Sequence, residues 1–283
     1  MNFGFKPDII TDDNYVLGGN KLPKIVLQPD GDWSKYLPEY EPQSKRGIET
    51  QNCTSFGTLS AIEMMKRRIY KKTVNYSDRF LGIVADTNPL NGNTPHTVCE
   101  AIRKNGLVKE SDLPFDDKIK SPKDYYQPKP PPDSLIQKGL KWLKLYDFGH
   151  EWVFTPTTAP DNKVEAIKEA LKYSPLGVSV YAWRELSGLY YKPLGAEDNH
   201  WCVLYKVNDD GTYQIFDTYD GGIKTLERGY NFWFCKRYHL TENVYGADNY
   251  EDKVSGILAT LKSILSLLVA FRDKLLKDNE QIA

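Results

Sequence analysis

Apolar residues recur every three or four positions in three segments of the first 175 residues. This spacing is that of one face of an α-helix. It predicts helices over 54–72, 95–105 and 163–173. The second of these has strong boundary signals, because Pro95 occupies its first position and Gly106 follows its last. The first part of the chain is therefore expected to be helical.

The pattern changes to alternation after the third predicted helix. Strands are predicted over 178–183, 201–207, 212–219 and 230–240. The sequence Asn-Asp-Asp-Gly at 208–211 is a strong turn signal and joins two of these strands into a hairpin. Helices followed by an antiparallel sheet indicate an α+β fold, with a helical half at about 43–145, a sheet half at about 146–245 and a cleft between them. The proline-rich segment 121–133 is predicted to be a surface loop.

The two ends of the chain differ from this body. Glycines and prolines break any long helix in residues 1–42, which are expected to form an extended N-terminal arm. Near the C-terminus, a heptad repeat predicts a helix over 250–279 that mediates homo-oligomerisation or partner docking; its seam is Val254, Ile257, Leu261, Ile264, Leu268, Phe271 and Leu275. A helix packed on its own domain is the alternative. Lys262, at the centre of the apolar stretch, argues against a membrane span.

Composition and net charge argue against several classes of protein function. The 37 basic and 38 acidic residues leave a net charge of −1, so electrostatic attraction to nucleic acid or to an anionic membrane is not expected. The four cysteines, at positions 53, 99, 202 and 235, are too few for a disulfide scaffold. No basic and apolar leader is visible at the N-terminus, so cytoplasmic synthesis is expected. No cofactor and no metal site are expected from the spacing of Cys and His residues.

Three residues carry candidate chemistry. Cys53 begins the first predicted helix, where free backbone N–H groups and the helix dipole are expected to lower the pKa of its thiol. His200 begins one strand of the hairpin and Asp217 lies in the other, so the two side chains can meet across the strands. This set predicts a nucleophile, a base and a residue that orients the base. The alternatives are a buried apolar cysteine, a core histidine and a turn-capping aspartate.

The sequence around these residues resembles papain-like cysteine peptidases. Residues 53–63 (CTSFGTLSAIE) are similar to the family's C-W-A-F-S-A helix, 198–206 (DNHWCVLYK) to its N-H-A-V-x-x-V-G-Y strand, and 216–221 (FDTYDG) to its N-S-W-G turn. The resemblance covers roughly residues 43–240. It implies a thiol peptidase in which Asp217 replaces the family's triad Asn, with Tyr219 in place of a shielding Trp and Trp201 as a second wall of the site.

Two departures from the family pattern leave alternatives open. The family's oxyanion Gln lies six residues before the Cys, where this chain has Gly47. Gln43, reached through a longer loop, is the favoured substitute, and Gln51 is the alternative. A different register would place Phe56 at the nucleophile position and make the protein inactive.

Together these features predict a peptidase or amidase that hydrolyses peptide bonds with Cys53, His200 and Asp217. The alternative is a weakly active or inactive papain-fold protein that serves assembly through its C-terminal helix. Signal-less chains of this type resemble those of bacteriophages and bacteria, which implies a virion-associated role.

Overall fold

The longest described helix begins at Cys53, one residue earlier than predicted. A computed structural model describes residues 3–8 and 22–243, together with Leu261 and Leu265. In this part of the chain the α-helices are α1 (Cys53–Tyr70), α2 (Asp78–Val84), α3 (Pro95–Asn105), α4 (Pro122–Tyr125), α5 (Asp133–Leu145) and α6 (Lys163–Leu171). Short 3-10 turns cover Ser34–Tyr36 and Glu110–Asp112.

The described strands divide into a small hairpin and a large sheet. The hairpin is β1 (Ser44–Lys45) with β2 (Ile48–Glu49). The sheet contains β3 (Tyr146–Phe154), β4 (Leu176–Val180), β5 (Glu185–Leu186), β6 (Leu189–Tyr190), β7 (His200–Val207), β8 (Tyr213–Phe216), β9 (Ile223–Leu226) and β10 (Cys235–Glu242). Its strand order is β3-β10-β4-β7-β8-β9-β6-β5.

The central strands carry the predicted hairpin. β7 pairs antiparallel with β4 on one side and with β8 on the other, and Val207 lies opposite Tyr213 beside the predicted turn. The β6–β9 pair is parallel and rests on a single residue pair. The fold is therefore α+β, with a helical half followed by a largely antiparallel sheet, as the sequence predicted.

Helix α1 lies directly on the sheet at β7. All of its residues from Cys53 to Lys66 are buried, as expected of a helix enclosed on every side. A Cβ atom at Gly57 would lie 2.9 Å from Cδ1 of Trp201, so only glycine permits this close approach. The approach places the beginning of α1 against the beginning of β7.

The prediction of a surface loop over 121–133 is wrong in part. Ser121 caps the short helix α4, because its side chain accepts a hydrogen bond from the Asp124 N–H. Pro122 fits there since the first position of a helix needs no N–H donor. Tyr125 is fully buried, and the segment ends where α5 begins at Asp133, a helix that the sequence patterns did not predict.

The N-terminal region is partly described, whereas nearly all of the predicted C-terminal helix lies outside the described residues. Within 22–42, Trp33 is fully buried in the main core, and its indole N–H donates to the Leu171 carbonyl at 2.7 Å. The chain divides into the units Met1–Thr241 and Glu242–Ala283. The heptad helix predicted over 250–279 lies outside the described residues apart from Leu261 and Leu265, which are helical. No helix among the described residues is long and apolar enough to cross a bilayer.

Candidate active site

Cys53 is the first residue of α1 and is fully buried. Phe5, Trp201, Trp152 and Phe234 form the apolar cluster around it. The backbone N–H of Trp201, the residue after His200, donates a hydrogen bond to the thiol. Phe56 lies one turn further along α1 in a different apolar cluster, so this geometry favours the register with Cys53 at the nucleophile position.

The expected lowering of the Cys53 pKa is wrong for this structure. Burial raises the pKa of the Cys53 thiol well above its usual value, and the negative charges of Asp217 and Glu49 act in the same direction. Hydrogen bonds from the Trp201 and Thr54 N–H groups oppose this shift but are weaker. The helix terminus is present as predicted, yet the removal of water around the sulfur outweighs it.

His200 and Asp217 are in contact. His200 is the first residue of β7, and Asp217 follows the last residue of the neighbouring strand β8. Nε2 of His200 lies 2.5 Å from Oδ1 of Asp217, and both side chains are buried. Among the described residues, Nδ1 of His200 has no hydrogen-bond partner. An ionised Asp217 makes Nε2 the protonated nitrogen and leaves the lone pair of Nδ1 available.

The second oxygen of Asp217 is held by Lys224, a residue that the sequence patterns did not single out. The Nζ atom of this lysine on β9 lies 2.8 Å from Oδ2 of Asp217 and 2.6 Å from the Tyr219 carbonyl oxygen. Burial opposes ionisation of Asp217, but the charges and hydrogen bonds of His200 and Lys224 outweigh it, so the pKa of Asp217 is lowered. The aspartate is therefore a stable anion between the His200 ring and the Lys224 ammonium.

Gln43 and Gln51, the two candidates for the oxyanion donor, have different surroundings. The β1–β2 hairpin separates Gln43 from α1 and accounts for its longer distance to Cys53 in sequence. Nε2 of Gln43 donates to the Phe3 carbonyl at 3.1 Å and to Glu49 at 2.7 Å, and its Oε1 accepts from Thr218 at 2.9 Å. The side-chain oxygen of Gln51 is buried and has no partner among the described residues. Gln43 is thus the candidate whose amide already binds a peptide carbonyl.

The two predicted site walls lie on different sides of His200. The ring of Tyr219 is 5.3 Å from the His200 ring, and its hydroxyl donates to Glu49 Oε2 at 2.6 Å. Trp201 is fully buried and stacks on Phe5 with the ring centroids 5.8 Å apart. Tyr219 therefore borders the histidine, whereas Trp201 belongs to the apolar cluster around Cys53.

Residues 3–6 run across this site with a bend at Gly4, whose φ is 103°. The Phe3 N–H donates to the carbonyl oxygen of Asn199, the residue before His200, at 3.1 Å. Further along, Asn93 accepts from the Lys6 N–H at 2.9 Å and donates to the Gly4 carbonyl at 2.9 Å. The Phe3 ring lies 5.8 Å from the His200 ring. Residues 3–6 therefore occupy a groove bordered by Asn199 and Asn93, and main-chain hydrogen bonds hold them there.

Several residues that contribute to this site could not be identified from the sequence. Glu49 and Lys224 are charged residues without a motif, and the presence of residues 3–6 in the groove has no local sequence signal. No group of three or more His, Cys, Asp or Glu side chains in the described part of the chain is arranged to hold a metal.

Comparison with known proteins gives similarity in structure only. No protein-family model matches the chain, and no curated protein matches its sequence. Among solved structures it is similar to procathepsin L 3 from the larval midgut of Tenebrio molitor, with 15% identity, a TM-score of 0.57 and coverage of 80% of this chain and 73% of that one.

The proform of the Amb a 11 cysteine protease, a major ragweed pollen allergen, is also similar. Two crystal structures of it give 16% and 17% identity and TM-scores of 0.55 and 0.53. They cover 78% and 81% of this chain and 68% and 69% of the ragweed protein. The helical half, the largely antiparallel sheet and these similarities together show that the chain has the papain-like fold.

Proposed function

We propose that this protein is a thiol peptidase or amidase that hydrolyses peptide bonds with Cys53, His200 and Asp217. The observation that carries the proposal is the orientation of His200. Its Nε2 is bound to Asp217, and its Nδ1 is unpartnered among the described residues, next to the strand position whose N–H contacts the Cys53 thiol. A base that is oriented on one side and free on the other is what a cysteine nucleophile requires.

The reaction follows from these positions. Nδ1 of His200 takes the thiol proton, and the Cys53 sulfur attacks the carbonyl carbon of the scissile peptide. The tetrahedral intermediate collapses as Nδ1 returns the proton to the leaving amine, which leaves a thioester on Cys53. Water then attacks the thioester while Nδ1 accepts its proton, and the acid product departs with the sulfur reprotonated. The Gln43 amide and the Cys53 N–H stabilise the oxyanion in both steps.

The substrate class is supported by what the groove holds. Residues 3–6 lie there through their own backbone N–H and C=O groups, and the Phe3 carbonyl accepts from Gln43. Main-chain recognition of this kind depends little on side chains, except at Gly4 (φ +103°), where a Cβ would lie 2.2 Å from the Gln51 carbonyl oxygen and only glycine fits.

The same contacts keep the site closed. Cys53 and His200 are both 0% exposed, and Phe5 packs in the cluster that contains the thiol. Hydrolysis therefore requires residues 3–8 to leave the groove. Their departure would return water to the sulfur and remove the main cause of its raised pKa.

The test is hydrolysis of a fluorogenic peptide library by the intact protein and by a Phe5→Ala variant in which the N-terminal segment is held less tightly. Activity is expected in the Phe5→Ala protein at least, and Cys53→Ala should abolish it. Cys99→Ala, which removes another buried thiol outside the site, is the matched control and should retain it. Hydrolysis that survives Cys53→Ala, or no hydrolysis by either starting protein, would contradict the proposal.

The burial of Cys53 also favours a second candidate function, that of an assembly protein with a papain-like fold and an unused site. This candidate predicts no hydrolysis and slow, uniform labelling of all four cysteines. Oligomerisation through the C-terminal helix, a virion-associated role and synthesis in the cytoplasm stay predictions from the sequence.

A further inference from the structure

Lys224 is a lysine with almost no solvent contact in the centre of the candidate site. Its side chain is 1% exposed, and its ammonium lies between the Asp217 carboxylate and the Tyr219 carbonyl. The rings of Trp183 and Tyr190 lie 5.1 and 5.8 Å from Nζ. Lysine is almost never buried to this degree without a partner of opposite charge. The partner here is the residue that orients His200.

The two oxygens of Asp217 are divided between two partners. Oδ1 faces His200 Nε2 and Oδ2 faces Lys224 Nζ, so the carboxylate cannot rotate without breaking one of the two contacts. An aspartate alone would place a full negative charge beside the imidazole and the thiol. The Asp217–Lys224 pair has no net charge, and in that respect it is equivalent to a neutral amide.

We propose that Lys224 is a positioning residue of the candidate site, which neutralises Asp217 and fixes its orientation so that an aspartate performs the task of an uncharged hydrogen-bond acceptor. This inference rests on the proposed function and identifies how its orienting residue works. In the absence of the lysine, the aspartate would hold the proton on His200 too firmly for efficient transfer.

Other ionisable groups also face this cluster and contribute to its pH dependence. The Asp217 charge acts on Cys53 from α1, Cys202 from β7, Tyr40 and Tyr219. Glu49 acts on Cys53, and Asp198 acts on Cys202. Asp220 acts on Tyr40. All of them are unchanged in the variants below, so differences between these proteins report on positions 217 and 224.

The test is a double-mutant cycle on the full chain with Lys224→Met, Asp217→Asn and both together. Lys224→Met leaves Asp217 facing His200 alone, so the basic limb of the pH profile of peptide hydrolysis is expected to move up by about one pH unit. Asp217→Asn leaves the Lys224 ammonium unpaired near the imidazole and should move the basic limb down by about one pH unit. In the double variant the limb should return close to its original position.

The thermal stability of the same proteins should follow this pattern. Each single variant leaves one buried charge unpaired and is expected to lower Tm by roughly 6–20 °C, whereas the double variant should recover most of the loss. A merely structural lysine would give the loss in Tm but no opposite shifts of the pH profile. If a single variant fails to fold, the double variant provides the test. Native folding of the double variant with the original pH profile supports the inference, whereas loss of folding or a shifted profile overturns the inference.

NMR titration of the His200 ring separates this inference from the proposed function, because it needs no substrate. Opposite shifts of the titration in the two single variants, with no hydrolysis by any protein, would reject the peptidase and keep the role of Lys224. Hydrolysis with a His200 titration that is the same in all four proteins would keep the peptidase and overturn the role of Lys224.

Discussion

Two buried histidines in this protein each contact a carboxylate within a cluster that also contains a buried lysine, and they differ in which member lies in the middle. In the His200 cluster, Asp217 lies between His200 and Lys224. In the His150 cluster, His150 on β3 lies between Glu100 and Lys236: its Nε2 is 2.9 Å from the carboxylate and its Nδ1 is 3.1 Å from the ammonium. His150 therefore has both ring nitrogens engaged, and His200 has one.

The difference separates a histidine that can react from one that holds the fold together. Burial and the positive charge of Lys236 lower the pKa of His150 to about 3, despite the opposing effect of Glu100. That ring is neutral at physiological pH and joins α3, β3 and β10. In the His200 cluster the lysine acts on the carboxylate instead, and Nδ1 has no partner among the described residues. The same residue types thus give a candidate base in one place and a structural link in the other.

The largest expected effect comes from removing each histidine in turn. His200→Gln should lower kcat/KM by at least about 10³-fold, because the general base and acid is lost. His150→Gln should leave kcat/KM within about threefold and lower Tm, since a buried hydrogen-bonded link is weakened. Steady-state kinetics and thermal melts of both variants make this comparison. Equal losses of activity would show that the two clusters do not differ as described.

The second largest effect on activity is expected at Gln43. Gln43→Ala removes one oxyanion donor and is expected to lower kcat by about 10²–10³-fold. Gln51→Ala is the matched control, and its kcat should change by less than about threefold if Gln43, whose amide binds the Phe3 carbonyl, is the donor. If the two variants exchange these effects, Gln51 is the donor and the longer connection through the β1–β2 hairpin has no catalytic purpose.

A smaller effect is expected from loosening residues 3–8. Phe5→Ala removes a buried ring that stacks on Trp201 and should increase the rate of Cys53 alkylation by iodoacetamide at pH 7.5 by about tenfold or more. Both the exposure of the sulfur and the thiolate fraction rise, because burial is the main cause of the raised pKa. Leu194→Ala, at a fully exposed apolar residue, should change nothing. An unchanged rate in Phe5→Ala would mean that this segment does not cover the thiol.

The smallest effect is the pH dependence of stability that arises from His150. Its pKa is about 3 in the folded protein, against the ordinary histidine value of 6.5, so the unfolded chain binds a proton that the folded protein does not. Stability is therefore complete above pH 6.5 and falls towards the folded pKa, by at most about 1.4 kcal/mol per pH unit.

Urea unfolding at pH 6.5 and 5.0 measures this loss, and His150→Gln should flatten it. A slope that persists in the variant would assign the loss to other groups, such as His96 and His239, whose pKa values are also lowered by burial.

The sequence predicted those parts of the site that follow from local patterns. The positions of Cys53 at the start of a helix and of His200 and Asp217 on neighbouring strands of a hairpin depend on periodicity and turn signals, which act over a few residues. Helix α3 was predicted with its boundaries because Pro95 and Gly106 mark its two ends.

What the sequence did not predict depends on contacts between distant segments. Lys224 is an ordinary lysine in sequence, and only the sheet brings it beside Asp217. The burial that raises the pKa of Cys53 comes from an apolar cluster whose members, such as Phe5 and Trp152, lie far apart in the chain. The prolines of segment 121–133 placed Tyr125 in a predicted surface loop. Tyr125 is buried instead, and its hydroxyl accepts a hydrogen bond from Asn52 at 3.0 Å.

The most direct test of the peptidase account is to map the adduct of a peptidyl vinyl sulfone by mass spectrometry on the Phe5→Ala protein. This probe reacts with a thiolate that binds a peptide next to a proton-donating histidine. Modification is expected at Cys53 alone, with Cys99, Cys202 and Cys235 unmodified, and His200→Gln in the same background should abolish it. Equal labelling of all four cysteines, or labelling of Cys53 that persists without His200, would contradict the account.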